Sequence, residues 1–240
     1  ARAPGSDDVH GQLDITDWTM WHAWLMFKPL TKTHNSQGTI MQSISSISEL
    51  EALYGQPSDA AIRKVSSRLT PLYRRWIMAS RFCVLTSVGP DGTDGSPRGE
   101  DGPVVHELDS QTLAMPDWRG NNRLDSLRNI VSDGRVSLMF MVPGSTTIVR
   151  VNGRAVLSAD ADLRARFERR GKLPATVIVI TLQEVYAQCA RAPLRAGLWQ
   201  RNDRDTVPSM GDILAEMTNG QEGGPDFDSK FQSLAPDGLW

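Results

Sequence analysis

Short apolar runs separated by turn residues occupy the middle of the chain, and this pattern predicts β-strands. The first run, 82–88, ends at the turn Gly89-Pro90-Asp91-Gly92, and the last, 176–189, contains an uninterrupted β-branched stretch. The predicted strands are 82–88, 94–99, 104–108, 112–115, 136–142, 146–158 (one long strand or a pair) and 176–189. Because these strands are short and closely spaced, with helices between some of them, we expect a mainly β fold with flanking helices, closed as a barrel.

Apolar residues at helical intervals predict helices on both sides of the β region and within it. Ser46 precedes Glu49 at the spacing of a capping box, and Gly55 ends the helix that follows. A second helix begins at Ser58, and Pro71 is expected to bend or split it. Further helices are predicted at 123–132, 160–169 and 209–217.

The two ends of the chain differ from the patterned region. The chain does not begin with methionine, and Met41 directly precedes the first regular pattern, so residues 1–40 are expected to be a leader outside the fold, added or disordered. Residues 41–217 are expected to form one domain with helices at both of its ends. Residues 218–240 are rich in glycine and aspartate and are expected to be a loose tail.

Composition and charge narrow the class of protein. The 240 residues are 40% hydrophobic, and their net charge of −2 gives no basic surface for nucleic acid or for an anionic membrane. No apolar run reaches the ~18 residues that a membrane span needs. Cys83 and Cys189 cannot form a disulfide framework and lie in apolar runs, so we expect inert buried thiols in a cytoplasmic protein.

The segment 115–130 contains the strongest candidate for a binding site. A predicted strand ends at Met115 and a helix begins near Leu124, where unpaired N–H groups can receive an anion. Donors suited to phosphate lie between these elements: Arg119, Gly120, Asn121, Asn122 and Arg123. From the residues alone, phosphate binding is only somewhat favoured over an ordinary polar loop.

A second candidate is the segment 95–100. Arg98 lies inside a predicted strand between Pro97 and Gly99, where an apolar or β-branched residue is more usual. A buried arginine needs an anionic partner, which would be a ligand. The competing interpretation is an edge-strand arginine paired with Glu100, Asp101 or water.

The third candidate, 189–199, follows the last predicted strand. Arg191, Arg195 and Trp199 recur at intervals of four, so on a helical turn they would share one face and could contact a flat aromatic ligand or a partner subunit. A packing helix that buries one tryptophan is an equally good interpretation.

Several catalytic signatures are missing from the sequence. It contains no GxSxG, HExxH or GxxxxGK[ST] motif, no Cys/His cluster with metal-ligand spacing, and no GxGxxG after a strand. His106 is the one histidine within the patterned region. We therefore assign no catalytic residue and no metal ligand.

Several separated motifs together resemble one known family. They include Gly-Ser-Pro-Arg-Gly at 95–99 and Gly-Asn-Asn-Arg-Leu-Asp-Ser-Leu-Arg-Asn at 120–129. The remaining segments are 82–86, 113–117, 150–155, 188–192 and 197–199. In this order they resemble the pyridoxamine 5'-phosphate oxidase-like, FMN-binding split-barrel proteins, over roughly residues 45–215. The resemblance implies a six-stranded split β-barrel that forms a homodimer, with cofactor sites at the interface.

The resemblance also implies roles for individual residues. A Ser-Arg-Lys type cluster that holds the FMN phosphate in the family falls on Asn121, Asn122 and Arg123, and Arg119 and Arg98 are expected to supply the missing positive charge. The strand residues expected beside the isoalloxazine edge are Ser96, Pro97, Arg98 and Gly99. Arg195 and Trp199 are expected to close the site from the second subunit.

The implied function is an FMN-dependent oxidoreductase with an electron donor such as NAD(P)H. The flavin would accept a hydride at N5, so no acid or base is needed from the protein. The basic, histidine-containing segment that the true oxidases carry near their C-terminus is not visible, so vitamin B6 synthesis is not predicted. The alternatives are a non-catalytic flavin store or sensor, and a barrel that binds haem, with His106 as axial ligand, or a deazaflavin.

Overall fold

The computed structural model describes residues 33–34, 40–41 and 43–233. The chain divides into two compact units, Ala1–Ser58 and Asp59–Trp240. Most of the expected leader, 1–40, lies outside the described residues.

In its described residues, the first unit contains a short strand pair and one helix. Strand β1 (Thr33–His34) pairs antiparallel with β2 (Ile40–Met41). Helix α1 (Ile47–Tyr54) begins where the sequence predicts, because the Ser46 hydroxyl accepts the N–H of Glu49 (3.2 Å). It ends at Gly55, whose φ of +73° suits glycine.

Two helices open the second unit. Helix α2 (Asp59–Arg63) is followed by α3 (Pro71–Met78), so the predicted helix is split in front of Pro71. Proline is well suited to the first turn of α3, where its missing N–H has no partner in the helix to lose. The Thr70 side chain caps α3 by accepting the N–H of Tyr73 (3.4 Å).

Seven strands of the second unit form one antiparallel sheet in the order β4-β3-β7-β8-β9-β6-β5. These strands are β3 (Phe82–Gly89), β4 (Gly92–Gly99), β5 (His106–Asp109), β6 (Thr112–Asp117), β7 (Arg135–Met141), β8 (Ile148–Ser158) and β9 (Thr176–Gln188). The six strands implied by the family resemblance are too few, because β5 and β6, on either side of the turn 109–111, both pair within the sheet. The sequence pattern predicts all seven strands, and the segment 146–158 forms one long strand rather than a pair.

The sheet is curled, although strand pairing in the described residues does not close it into a ring. Arg98 on β4 forms an ion pair with Asp117 at the end of β6. These strands lie near opposite ends of the strand order, so the sheet must bend back for the two side chains to meet.

Directly opposed residues build the core on the inner face of the curl. Cys83, Phe140 and Val149 form one row across β3, β7 and β8, and Leu85, Leu138 and Val151 form the next. All six side chains are buried. Residues two apart along a strand share a face, so each of these three strands contributes every second residue to this part of the core.

A bulge between Asn152 and Gly153 interrupts the pairing of β8 with β9. A Cβ at Gly153 would lie 2.2 Å from the carbonyl oxygen of Thr181, so this position requires glycine. The bulge lets the long strand β8 bend within the curled sheet.

The remaining helices lie between or after the strands. They are α4 (Asp125–Ser132), α5 (Ala161–Ala165), α6 (Arg191–Ala196), a 3₁₀ turn (Arg204–Thr206), α7 (Met210–Met217) and α8 (Pro225–Gln232). Helix α4 begins two residues later than predicted, because Leu124, directly before it, has a left-handed backbone. Helix α5 is shorter than predicted and ends at Ala165. Within 218–233, the segment expected to be loose, α8 contacts α7 through an Asp228 carboxylate that accepts the N–H of Gly211 (2.9 Å).

Among the described residues, no helix combines the length and apolar character required to cross a membrane.

A candidate anion and cofactor cleft at the start of helix α4

A cleft of about 1390 Å³ opens beside the N-terminus of α4. Its walls come from β4, the end of β6 and the segment 118–124 that follows it, α4, the end of β8, and the residues around the start of β9. Small-molecule sites typically have ~300–1,000 Å³, so this cleft has room for more than one ligand.

The N-terminus of α4 lacks a side-chain cap. Its N-cap residue is Leu124, which has a φ of +63° and makes no capping hydrogen bond. Asn122 also has a positive φ, +60°, and its neighbour Asn121 accepts the N–H of Arg123 through Oδ1 (3.1 Å). Left-handed backbone at non-glycine residues is uncommon and tends to occur at functional sites. The first N–H groups of α4 are therefore available to an anion in the cleft.

Three arginines surround this helix start: Arg119, Arg123 and Arg128 all line the cleft. The Nε–H of Arg123 donates to Asp125 (2.9 Å), but the Arg123 side chain is 76% exposed, so this pair is weak. Arg119 and Arg128 make no ion pair with any residue that the structure describes. With the carboxylates of Asp94 and Asp125 against three arginines, this end of the cleft has a net positive charge.

The floor of the cleft is neutral, because Arg98 is already paired. Its guanidinium contacts the carboxylate of Asp117, and the two side chains are only 20% and 10% exposed. The sequence-based alternative, pairing with Glu100 or Asp101, is wrong. The curl of the sheet brings Asp117 to Arg98, while Glu100 accepts the Nε1–H of Trp118 (2.6 Å) and forms an ion pair with Arg169 (3.5 Å).

Two buried polar atoms at this floor lack a hydrogen-bond partner among the described residues. They are Nε of Arg98 and Oγ1 of Thr176. Thr176 lies directly opposite Asp117 in the pairing of β6 with β9, and both Arg98 and Thr176 line the cleft. Buried polar atoms in proteins are nearly always hydrogen-bonded, so these two unpaired atoms, in residues that line the cleft, indicate a place for ligand atoms.

Two other contacts hold the cleft walls in place. Ser126, near the start of α4, donates its hydroxyl to Asp94 on β4. The buried Glu100 carboxylate, 7% exposed, fixes the indole of Trp118 at the cleft. Both contacts join segments that are far apart in sequence.

The structure brings most of the predicted site residues together. Those that line the cleft are Ser96, Pro97, Arg98, Arg119, Asn121, Asn122 and Arg123. Gly99, Arg195 and Trp199 do not line it. Gly99 pairs with Phe82 at the end of β4, Arg195 lies in α6, and the Trp199 indole donates to the carbonyl of Ser145 (2.7 Å).

Among the cleft residues that the sequence-based prediction did not include are Asp94, Asp117, Trp118, Ser126 and Thr176. Asp117 ends the motif 113–117 and lies two residues before Arg119, so the sequence places it next to the anion-binding segment. Thr176 gave no signal, because only the pairing of β6 with β9 brings it to the cleft.

Neither His106 nor the two cysteines belong to the cleft. The imidazole of His106 packs on Phe167, with ring centroids 5.0 Å apart, and burial lowers its pKa. Cys83 is buried, and burial raises the pKa of its thiol to about 12, as expected for an inert thiol. Cys189 is exposed, so the expectation that it is buried is wrong. Within the described ranges, no three His, Cys, Asp or Glu side chains are grouped to hold a metal ion.

Comparison with known proteins gives one family and several similar structures. The family model for pyridoxamine 5'-phosphate oxidase matches residues 69–189. No curated protein matches the chain in sequence.

Solved structures that resemble the chain cover about half of it. HupZ of Group A Streptococcus is 14% identical, with 50% of this chain and 93% of HupZ covered and a TM-score of 0.42. General stress protein 26 of Bacillus anthracis is 17% identical, with 48% and 88% covered and a TM-score of 0.37. An F420 reductase is 16% identical, with 50% and 98% covered and a TM-score of 0.36. With TM-scores below 0.5, these likenesses add no argument to the family match.

Proposed function

Since the chain belongs to the pyridoxamine 5'-phosphate oxidase family, we propose that it binds FMN in the cleft and acts as a flavin-dependent oxidoreductase. The observation that carries the proposal is the combination of two unlike ends in one cleft. One end is cationic and has an uncapped helix N-terminus, and the other has a neutral floor with unpaired hydrogen-bonding atoms. FMN has the matching parts, a phosphate and an uncharged ring edge.

The phosphate end is the start of α4. The free N–H groups after Leu124 and the guanidinium groups of Arg119 and Arg123 supply donors there. Asn121 and Asn122 replace the hydroxyl and the arginine of the family cluster, and their amides suit the ribityl hydroxyls next to the phosphate.

Arg98 has a different role from the one that the sequence suggested. Asp117 neutralises its charge, so Arg98 contributes little attraction to a phosphate. Its free Nε–H and the Thr176 hydroxyl are instead suited to a carbonyl at the edge of the flavin ring.

The bound flavin would supply hydride acceptance, and the chain would supply binding and orientation. Trp118, fixed by Glu100, would limit the position of the ring at the cleft wall. No side chain is assigned as acid or base. The proposed hydride donor is NADH or NADPH.

The proposed assembly is a homodimer of split barrels. The curl that joins Arg98 to Asp117 supports a split barrel, and the open cleft leaves space for a second subunit. Arg195 and Trp199 do not line the cleft of their own chain, so their proposed contribution is to the cleft of the partner. Sedimentation velocity tests this, and a stable monomer with bound FMN would contradict it. A cytoplasmic location is part of the same proposal, because both cysteines are free thiols.

A visible absorption spectrum of the purified protein, before and after loading with FMN, tests the cofactor. We expect flavin bands that remain after gel filtration and bleach when NADH or NADPH is added without oxygen. A bound flavin that neither nucleotide reduces would support the alternative of a flavin store or sensor. A protein that cannot be loaded would overturn the proposal, and a haem or deazaflavin spectrum would replace FMN with another cofactor.

A further inference from the structure

The outward side of α4 carries apolar side chains where a solvent-facing helix is usually polar. Leu124, Arg128 and Val131 follow one another at intervals of four and three, so they lie on one side of the helix and its start. The opposite side is buried through Ser126 and Ile130. Val131 is 74% exposed and Leu124 is also exposed, and both line the cleft.

The cleft has further apolar residues from other elements. Leu157 near the end of β8 and Leu173 before β9 both line it. Leu124, Val131, Leu157 and Leu173 together are called the apolar annex. Grouped apolar side chains in a cleft indicate a binding surface rather than scattered surface residues.

Arg128 adds a charged side chain to this region. It lies between Leu124 and Val131 on the outward side of α4, and no described residue forms an ion pair with it. Arg98 is paired with Asp117, whereas Arg119 and Arg123 lie before α4, in the proposed phosphate site. Arg128 is thus a cation next to apolar walls, which is the complement of an organic anion with an apolar body.

We propose that the apolar annex is a second binding site in the cleft, which holds an organic anion with an apolar body and pairs its charge with Arg128. The cleft volume of about 1390 Å³ allows this ligand and the cofactor to bind together. The assignment of this ligand as the substrate rests on the proposed flavin function, whereas the binding site itself does not.

Fluorescence titration with 1-anilinonaphthalene-8-sulfonate tests the site, because this probe has an aromatic body and one sulfonate. We expect saturable binding at one site per chain, with the same affinity in the presence of saturating FMN. Arg128→Gln should weaken binding about fivefold, the scale of a partly exposed ion pair. Val131→Ser should weaken it about threefold through lost apolar contact.

Two matched variants control for general effects. Val156→Ser changes another exposed valine, and Arg135→Gln changes another exposed arginine, and neither residue lines the cleft. Both variants should bind the probe like the unaltered protein. Equal losses for Val131→Ser and Val156→Ser, or an unchanged affinity for Arg128→Gln, would overturn the proposal.

Three further outcomes separate this inference from the flavin function. Competition between the probe and FMN would show that the annex is part of the cofactor site, which overturns the inference and leaves the flavin function intact. Failure to bind FMN with the expected probe results would overturn the flavin function and leave the organic-anion site intact. A dimer that only Val131→Ser converts to monomers, seen by sedimentation, would make this surface an interface and overturn the inference.

Discussion

Arg98 on β4 and Asp117 at the end of β6 form an ion pair between strands that lie near opposite ends of the strand order. The pair has two consequences. It holds the curled sheet at the position where strand pairing is absent, and it removes the charge of Arg98 from the cleft. Both consequences depend on the same contact, so the fold and the chemistry of the cleft floor are coupled.

Arg98→Met should lower the free energy of unfolding by about 3 kcal/mol, because it leaves the nearly buried Asp117 carboxylate without a partner. Urea unfolding followed by tryptophan fluorescence measures this change. Arg201→Met, which removes an exposed pair with Asp203, should cost less than about 1 kcal/mol. The double variant Arg98→Met/Asp117→Leu should recover part of the loss, and a double variant less stable than Arg98→Met would contradict this explanation.

Thr176→Val should weaken FMN and riboflavin by the same factor, about fivefold, because the proposed contact of the hydroxyl is with the ring that both share. Flavin fluorescence quenching measures both affinities. Thr181→Val makes the same change at an exposed position of β9 outside the cleft and should leave both unchanged. A loss confined to FMN would move Thr176 to the phosphate end.

Arg123→Ala should weaken FMN by about 1.5–3 kcal/mol, the range of a charged hydrogen bond, and leave riboflavin almost unaffected. The reason is that riboflavin lacks the phosphate that Arg123 is proposed to bind. Arg135→Ala is a close control, since Arg135 is also exposed and paired with an aspartate two residues away. Equal affinity of the unaltered protein and Arg123→Ala for FMN would remove Arg123 from the phosphate site.

Local patterns in the sequence account for the elements and for the anion-binding segment. Short runs between turn residues predict the seven strands of the curled sheet, and the polar run before α4 predicts an anion site at its start, because these signals lie in adjacent residues. The uncapped start of α4 depends on the left-handed backbone of Leu124, which residue type does not predict.

The floor of the cleft could not be predicted in the same way. Its contacts join Arg98 to Asp117 and bring Thr176 beside Asp117, and both depend on how the sheet curls and on strand register. A single sequence contains little information on long-range register. The predicted pairing of Arg98 with Glu100 or Asp101 is therefore wrong. The inference that a buried arginine at this position needs an anionic partner is correct.

The two cysteines should differ strongly in reactivity. Burial raises the pKa of the Cys83 thiol to about 12, so almost no thiolate forms at pH 8, whereas Cys189 is exposed. Ellman's reagent should label one thiol per native chain and two in denaturant, and Cys189→Ser should leave none in the native protein. Rapid labelling of both native thiols would show that the core around Cys83 opens easily.

Stability should fall as the pH is lowered from 7 to 5, and His106 should account for the change. Burial lowers the pKa of His106, Glu100 opposes this effect, and Arg166 adds to it, so the unfolded chain binds a proton more readily than the folded one. A lowered histidine pKa therefore costs stability below the ordinary value of about 6.5 and has no effect well above it. Asp133 does not contribute in this range, because the neighbouring Arg135 lowers its pKa to about 2. Urea midpoints at pH 7 and pH 5 measure the effect, and His106→Gln should make the two midpoints more nearly equal. An unchanged pH dependence in that variant would assign the effect to another group.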